Sequence, residues 1–276
     1  MAGLSDTSPE AERVLIEVSR RMSPARKWRL LGEIYRDARA LHAAGMRYRN
    51  PAVTPREITQ AWVRTTLGID LPVPIPENVR SDPMPTLQDF AEVARVFDRL
   101  GLRYALGGSM ASSIFGVSRH TNDADVTVDP FPGKEADLIT ALGPDYYVSE
   151  PAIHQAHRAR SSFNLINTRT GFKVDVFVRP DSPFEQSAMG RRISLDVEGQ
   201  KIVVLTAEDV ILTKLRWYRL GNEASEQQWK DVVNVMKTQE PNLDRAYLGR
   251  WANDLKVDDL LTRAWGEVSA AGQAPS

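Results

Sequence analysis

Apolar and polar positions repeat along this chain with two different periods, and the change between them falls at a run of prolines. Over residues 1–67 the period is helical. Trp28, Leu31, Ile34, Tyr35, Ala38 and Leu41 recur three and four residues apart, the spacing that gathers side chains on one helical face. Ser8-Pro9 and Ser23-Pro24 each read as an N-cap followed by proline at the first helical position. Thr54-Pro55-Arg56-Glu57 reads as a capping box, and Gly45 and Gly68 are natural stops. The pattern predicts three helices with basic exposed faces, packed as a small bundle.

Residues 68–85 hold Pro72, Pro74, Pro76, Pro83 and Pro85. Prolines at this density lack amide donors and keep the chain extended, which predicts a linker or strap and a domain boundary. Beyond it the pattern is mixed. A helix is expected from Thr86 through Leu100, ended by Gly101, and then a short strand over Tyr104–Leu106. Further strands are expected over Tyr146–Ser149, Phe163–Asn167, Phe172–Val178, Ile193–Val197 and Ile202–Leu205. Arg169-Thr170-Gly171 and Glu198-Gly199-Gln200 read as hairpin turns. Helical periods return over Ala207–Leu220, Ser225–Lys237 and Leu243 to about Val268. The fold class is α+β: a helical module (1–67), the linker (68–85), a core with a mixed sheet flanked by helices (86–206), and a C-terminal helical segment (207–268).

Composition changes this picture in three places. Net charge is −1 over 276 residues, so the whole chain is no electrostatic nucleic-acid binder. Between Glu10 and Arg64, however, twelve Lys/Arg face six Asp/Glu. A basic front beside an acidic remainder predicts an intramolecular contact between the two. There are no cysteines, which excludes a disulfide scaffold, zinc–thiolate sites and thiol catalysis. The opening MAGLSDTSPE has neither a basic nor an apolar leader segment, and no apolar run nears the roughly 20 residues of a membrane span. A soluble, cytoplasmic protein without membrane contact is expected.

The candidate chemistry gathers between Tyr104 and Asp129. After the apolar Tyr104-Ala105-Leu106, the run Gly107-Gly108-Ser109 permits a turn that side chains would forbid. The small residues after it can open a helix whose first N–H groups face an anion. Asp123-Ala124-Asp125-Val126-Thr127-Val128-Asp129 alternates strictly. As a strand it carries Asp123, Asp125, Thr127 and Asp129 on one face and the apolar residues on the other. Carboxylates side by side repel unless a cation lies between them, which points to a divalent ion, most naturally Mg²⁺ with phosphate oxygens completing its shell. Asp175 occupies the polar face of Phe172–Val178 together with Lys173 and Phe177. It is placed either to hold a second ion or to deprotonate a hydroxyl. Lys214 falls within the apolar stripe of Val210, Ile211, Leu215 and Tyr218, either snorkelling at its edge or aimed at phosphate. Asp231 flanks the stripe of Trp229, Val232, Val233 and Met236, where a surface ion pair is the plainer account. His154 and His157, near Arg158 and Arg160, read as parts of a solvated loop.

Taken together, Gly107-Gly108-Ser109, thirteen further residues, Asp123-x-Asp125 and a later strand carrying Asp175 resemble the polymerase-β-type nucleotidyltransferase signature. The phrase Arg119-x-Thr121-x-Asp123-x-Asp125 is similar to that of bacterial abortive-infection and toxin nucleotidyltransferases. Lys214 in ILTKLRWYR and Asp231 in WKDVV match the Lys and Asp that complete the site in those enzymes. The resemblance spans Thr86 to Val268. The front segment resembles the small helical proteins encoded beside such enzymes, as if a partner or antitoxin module were fused to its enzyme. The resemblance implies two Mg²⁺ ions, or Mn²⁺, held by Asp123, Asp125 and Asp175. It implies an NTP bound by Gly107, Gly108, Ser109, Arg119 and Thr121, with Lys214 neutralising triphosphate charge and Asp231 orienting that lysine or the acceptor. The implied reaction transfers NMP to an acceptor hydroxyl, on a tRNA end or a protein side chain, and releases pyrophosphate. Two other expectations stay open: a catalytically silent nucleotide- or partner-binding module, and a nucleotidyltransferase acting on a small drug.

Overall fold

The computed structural model describes residues 8–68, 70, 86–197 and 199–273. Most of the expected linker 68–85 lies outside the described residues, as does Glu198 of the second hairpin turn.

The front module forms helices α1 (Pro9–Arg21), α2 (Pro24–Arg49) and α3 (Pro55–Leu67). Their starts are made as expected. The hydroxyls of Ser8, Ser23 and Thr54 cap first-turn amides, and Glu57 returns a bond to the Thr54 amide. The expected stop at Gly45 is corrected: α2 runs through it to Arg49. Nothing at Gly45 requires a turn, whereas Asn50 precedes Pro51 and is forced into an extended conformation.

After α4 (Thr86–Arg99) the chain builds the site-bearing half: β1 (Tyr104–Leu106), α5 (Gly108–Phe115), β2 (Asp123–Val128), α6 (Glu135–Leu142), β3 (Tyr146–Val148) and α7 (Glu150–Ala159). It continues with β4 (Ser162–Asn167), β5 (Lys173–Val178), α8 (Pro183–Arg191), β6 (Ile193–Val197) and β7 (Gln200–Val204). Helices α9 (Ala207–Leu220), α10 (Glu226–Gln239), α11 (Arg245–Asp254) and α12 (Asp258–Gln273) complete it. Helices α6, α7 and α8 do not follow from the apolar period, being only eight to ten residues long. The expected solvated loop at His154 and His157 is corrected to helix α7, where His157 Nδ1 lies 3.0 Å from Glu135 Oε1. The single tail helix after Leu243 is corrected to two, parted where Lys256 turns left-handed at φ 57°.

The seven strands form one mixed sheet in the order β3-β4-β5-β2-β1-β7-β6. Strand β2 lies between β1, antiparallel to it, and β5, parallel to it. Ala124, Val126 and Val128 on β2, and Val174, Val176 and Val178 on β5, turn to the buried face. The opposite face is left to the acidic residues. A continuous apolar core extends from Trp28 through the sheet to Val268.

The expected contact between front module and body exists, and aromatic packing contributes to it beside the Arg20 bonds to the Lys237 carbonyl and the Arg39 charge acting on Asp89. Trp28 meets Phe90 edge-on at 5.8 Å, and Tyr35 meets Phe172 at 6.4 Å. The ion pair that joins α1 to α10 has the opposite polarity to the charge count: Lys237 Nζ of the body lies 2.7 Å from Glu12 Oε1 of the front.

Candidate functional site

Strand register assembles the first half of the site. In the parallel β2–β5 pair, Asp123 stands opposite Lys173 and Asp125 opposite Asp175. Paired strands lie about 4.8 Å apart, so three carboxylates and one ammonium share a single patch of the sheet's polar face. Lys173 Nζ is 2.7 Å from Asp175 Oδ2 and 3.6 Å from Asp123 Oδ2. Thr121 Oγ1 donates to Asp123 Oδ1 at 3.2 Å. The one ammonium in contact with the patch does not balance three carboxylates, even with the Lys214 charge reaching Asp125. Burial, with the charges of Asp123 and Asp175, pushes the Asp125 carboxyl up to about 6. Burial also raises Asp175, although the Lys173 bond works against the shift.

The turn after β1 closes against this patch. The Gly107 amide donates to the Asp125 carbonyl at 2.8 Å. Gly108 adopts φ +54°, and a Cβ there would lie 1.8 Å from Asp125 Oδ2. Glycine is therefore required twice, for its dihedral and for the carboxylate lying against it. No side chain caps the start of α5, so its first-turn amides and the positive end of its dipole are directed at the same place.

The second half of the site is a knot of charge centred on Asp231. Arg119 Nε and Nη2 each donate to the Asp231 carboxylate at 2.8 Å, a bidentate pair. Lys214 Nζ donates to Asp231 Oδ2 at 2.8 Å, and Gln227 Nε2 to Oδ1 at 3.0 Å. Lys214 and Asp231 are 7% and 5% exposed. Burial works to raise the Asp231 carboxyl, yet the Arg119 bonds and the Lys214 charge outweigh it and hold the group below its ordinary value. Arg119 Nη2 also donates to Ser109 Oγ at 2.7 Å, tying the knot to the glycine turn. Gly116 makes this approach possible, since a Cβ there would lie 3.1 Å from the Val235 amide of α10.

The structure thus brings together Gly107, Gly108, Ser109, Arg119, Thr121, Asp123, Asp125, Asp175, Lys214 and Asp231. Lys214 neither snorkels nor points freely into a cleft, because Asp231 holds it. Asp231 is no surface ion pair. Sequence reasoning placed Lys173 only on the polar face and left out Gln227. The signal for Lys173 is its position two residues before Asp175 on one strand face. Gln227 stands one helical turn before Asp231, a spacing that puts the two side chains together. His120 stacks on Tyr35 of α2 at 5.8 Å, so the front module touches the loop that carries Arg119 and Thr121.

Hard carboxylate oxygens are the donors that Mg²⁺ and Mn²⁺ take, and the raised Asp125 carboxyl marks a patch short of positive charge. The chemistry of the donor set therefore fits such an ion. Asp123 and Asp175 are turned onto the Lys173 ammonium and Asp125 onto Gly108, and among the described residues no three His, Cys, Asp or Glu are placed to hold one ion. Among the described residues, no helix is long and apolar enough to cross a membrane.

The chain matches no family model, and no curated protein matches it. Among solved structures it is similar to an antigenic nucleotidyltransferase-like protein from Paracoccidioides brasiliensis. The identity is 18%, over 64% of this chain and 90% of that one, at a TM-score of 0.41. It is also similar to ANT(2")-Ia in complex with adenylyl-2"-tobramycin, at 14% identity over 62% of this chain and 98% of that one, with a TM-score of 0.43. A third likeness is to the lincosamide antibiotic adenylyltransferase LnuA bound to lincomycin, at 14% identity over 54% and 94% of the two chains, with a TM-score of 0.38.

Proposed function

We propose that this chain is a nucleotidyltransferase that moves NMP from an NTP to an acceptor hydroxyl and releases pyrophosphate. One observation carries the proposal: Asp123, Asp125 and Asp175 share one patch of an open sheet face, with the Gly108 turn packed directly on Asp125. Asp123, Asp125 and Asp175 would be the residues to hold a divalent ion, which would neutralise charge on the triphosphate and the leaving pyrophosphate.

The chain's own residues supply the rest. The uncapped start of α5 at Gly108 and Ser109 binds phosphate oxygens through backbone amides. Lys214 and Arg119 are both bonded to one carboxylate, Asp231, and their charges also reach Asp125, which sets positive charge between the two halves where the triphosphate would lie. Asp231 fixes both cations and acts as a positioning residue. In the transfer, the acceptor oxygen forms a bond to the α-phosphorus as the bond from that phosphorus to the pyrophosphate oxygen breaks. The hydroxyl proton passes to Asp175, whose hold on a proton is strengthened by burial.

The acceptor we propose is a tRNA end or a protein side chain, with residues 1–67 as a fused regulatory or acceptor-recruiting module in a toxin-like arrangement. Residues 86–206 and 207–268 would then be the catalytic core and its helical subdomain. Arg36, Arg47, Arg49 and Arg56 are exposed on α2 and α3, and Tyr48 is exposed between Arg47 and Arg49 in the chain. Such a basic, aromatic surface suits a polyanion better than a small drug.

The test incubates the full chain with each labelled NTP, Mg²⁺ or Mn²⁺, and either tRNA, bacterial lysate or aminoglycosides. Label on RNA or protein, with pyrophosphate release, is expected, and Asp123→Asn with Asp125→Asn reduces both to background. NTP binding without transfer in any arm would make the chain a silent binding module. Label only on the aminoglycoside would replace the acceptor proposed here. Unchanged turnover in the double variant would place the chemistry elsewhere.

A further inference from the structure

Lys173 is the one residue of the acidic patch that neither ligand chemistry nor phosphate recognition calls for. Its side chain is 20% exposed, and its ammonium lies between Asp175 at 2.7 Å and Asp123 at 3.6 Å. The β2–β5 register sets its Cα opposite Asp123 and two residues before Asp175, so the backbone roots its stem beside both carboxylates. Among the described residues, no trio of metal-ligating side chains is arranged around one ion. The oxygens of Asp123 and Asp175 that such an ion would use are turned to Lys173 instead.

We infer that Lys173 is an internal counter-ion of the carboxylate patch, holding the place of the divalent ion and leaving it when that ion enters. This inference rests on the proposed nucleotidyltransferase site and deepens it by naming the residue that sets its affinity for metal. Two requirements follow from electrostatics. An ammonium and a divalent ion repel each other at contact distances, so both cannot stay between Asp123 and Asp175. Without either cation, the three carboxylates are left facing one another, and the fold bears their repulsion. Lys173 therefore keeps the metal-free protein folded and weakens metal uptake by the same contact. The two partners it would leave, Asp123 and Asp175, are half-buried, whereas Ile166 across the β4–β5 pair is buried and closes the other side, so its flexible four-carbon stem can move only outward.

The experiment titrates Mn²⁺ into the full chain without nucleotide, following free Mn²⁺ by its paramagnetic resonance signal. The same solutions are followed by thermal unfolding. Wild type, Lys173→Gln, Lys173→Arg and Asp123→Asn/Asp125→Asn are compared. Lys173→Gln is expected to bind Mn²⁺ about tenfold more tightly or better. The same variant melts lower than wild type without metal and regains the difference when Mn²⁺ is added. Lys173→Arg, which keeps the charge, is expected to behave as wild type. The double Asn variant is expected to bind no Mn²⁺ at this site. Equal affinity in wild type and Lys173→Gln, with binding still lost in the double variant, would overturn the counter-ion while leaving the nucleotidyltransferase site intact. Binding in none of the variants, with no recovery of melting by Mn²⁺, would overturn both.

Discussion

The two halves of the site solve opposite electrostatic problems with the same kinds of residue. On β2 and β5 three carboxylates share one ammonium, the patch is short of positive charge, and Asp125 is pushed up to about 6. Around Asp231 two cations share one carboxylate, the balance reverses, and Asp231 is held below its ordinary value. Ser109 stands at the junction, bonded to Arg119 and following the glycine packed on Asp125. A cation-seeking pole beside an anion-seeking pole matches a metal–triphosphate complex, which presents both charges at once. Neither pole alone distinguishes a nucleotide site from a structural ion-pair network. Their contrast is what supports the nucleotide site proposed above.

The comparison breaks most sharply at the knot. Asp231→Asn strands Lys214 and Arg119 in a buried setting without their shared counter-charge, which is expected to cost about 3–5 kcal/mol of stability. Urea unfolding at pH 7 measures it. Because the Asp231 carboxyl is lower in the folded state than in the unfolded one, its contribution is present above the unfolded value near 3.8 and fades as pH falls through the folded value. The deficit of the variant should therefore shrink in acid. An unaltered unfolding midpoint at pH 7 would mean that the knot is solvated and stores no charge imbalance.

The acidic pole should respond more weakly and with the opposite sign. The Asp125 carboxyl binds its proton more tightly in the folded protein, so its contribution is present below about 3.8 and lost as pH rises through about 6. In metal-free buffer at pH 8, Asp125→Asn is expected to stabilise the fold by about 2 kcal/mol, within the limit of the shift. Near pH 4 the gain should vanish. Destabilisation at pH 8 would mean that Lys173 already balances the patch.

Much of this was legible in the sequence, for reasons that differ by residue. The strict alternation in Asp123–Asp129 and Lys173–Val178 places the acids on one face because the strand period admits no other arrangement. The cap signals at Ser8, Ser23 and Thr54 act within four residues and read directly. What escaped depends on neighbours distant in sequence. The role of Lys173 needs the parallel β2–β5 register, which joins positions 50 residues apart. Asp231 reads as a helix flank until α10 closes on α5 at Gly116 and buries it. Helices α6 to α8 are too short for an apolar period to register. Ser149 with Pro151, and Ser182-Pro183, nevertheless carry the same start signal as the front helices.

The most direct test of paired poles is a titration of inorganic tripolyphosphate and Mn²⁺, separately and together, into three proteins: wild type, Lys214→Met, and Asp123→Asn/Asp125→Asn. The account predicts that Lys214→Met weakens tripolyphosphate without altering Mn²⁺ binding. The carboxylate variant should lose Mn²⁺ yet keep metal-free tripolyphosphate, and wild type should bind each ligand more tightly in the presence of the other. Loss of both ligands in both variants, or independent binding in wild type, would contradict it.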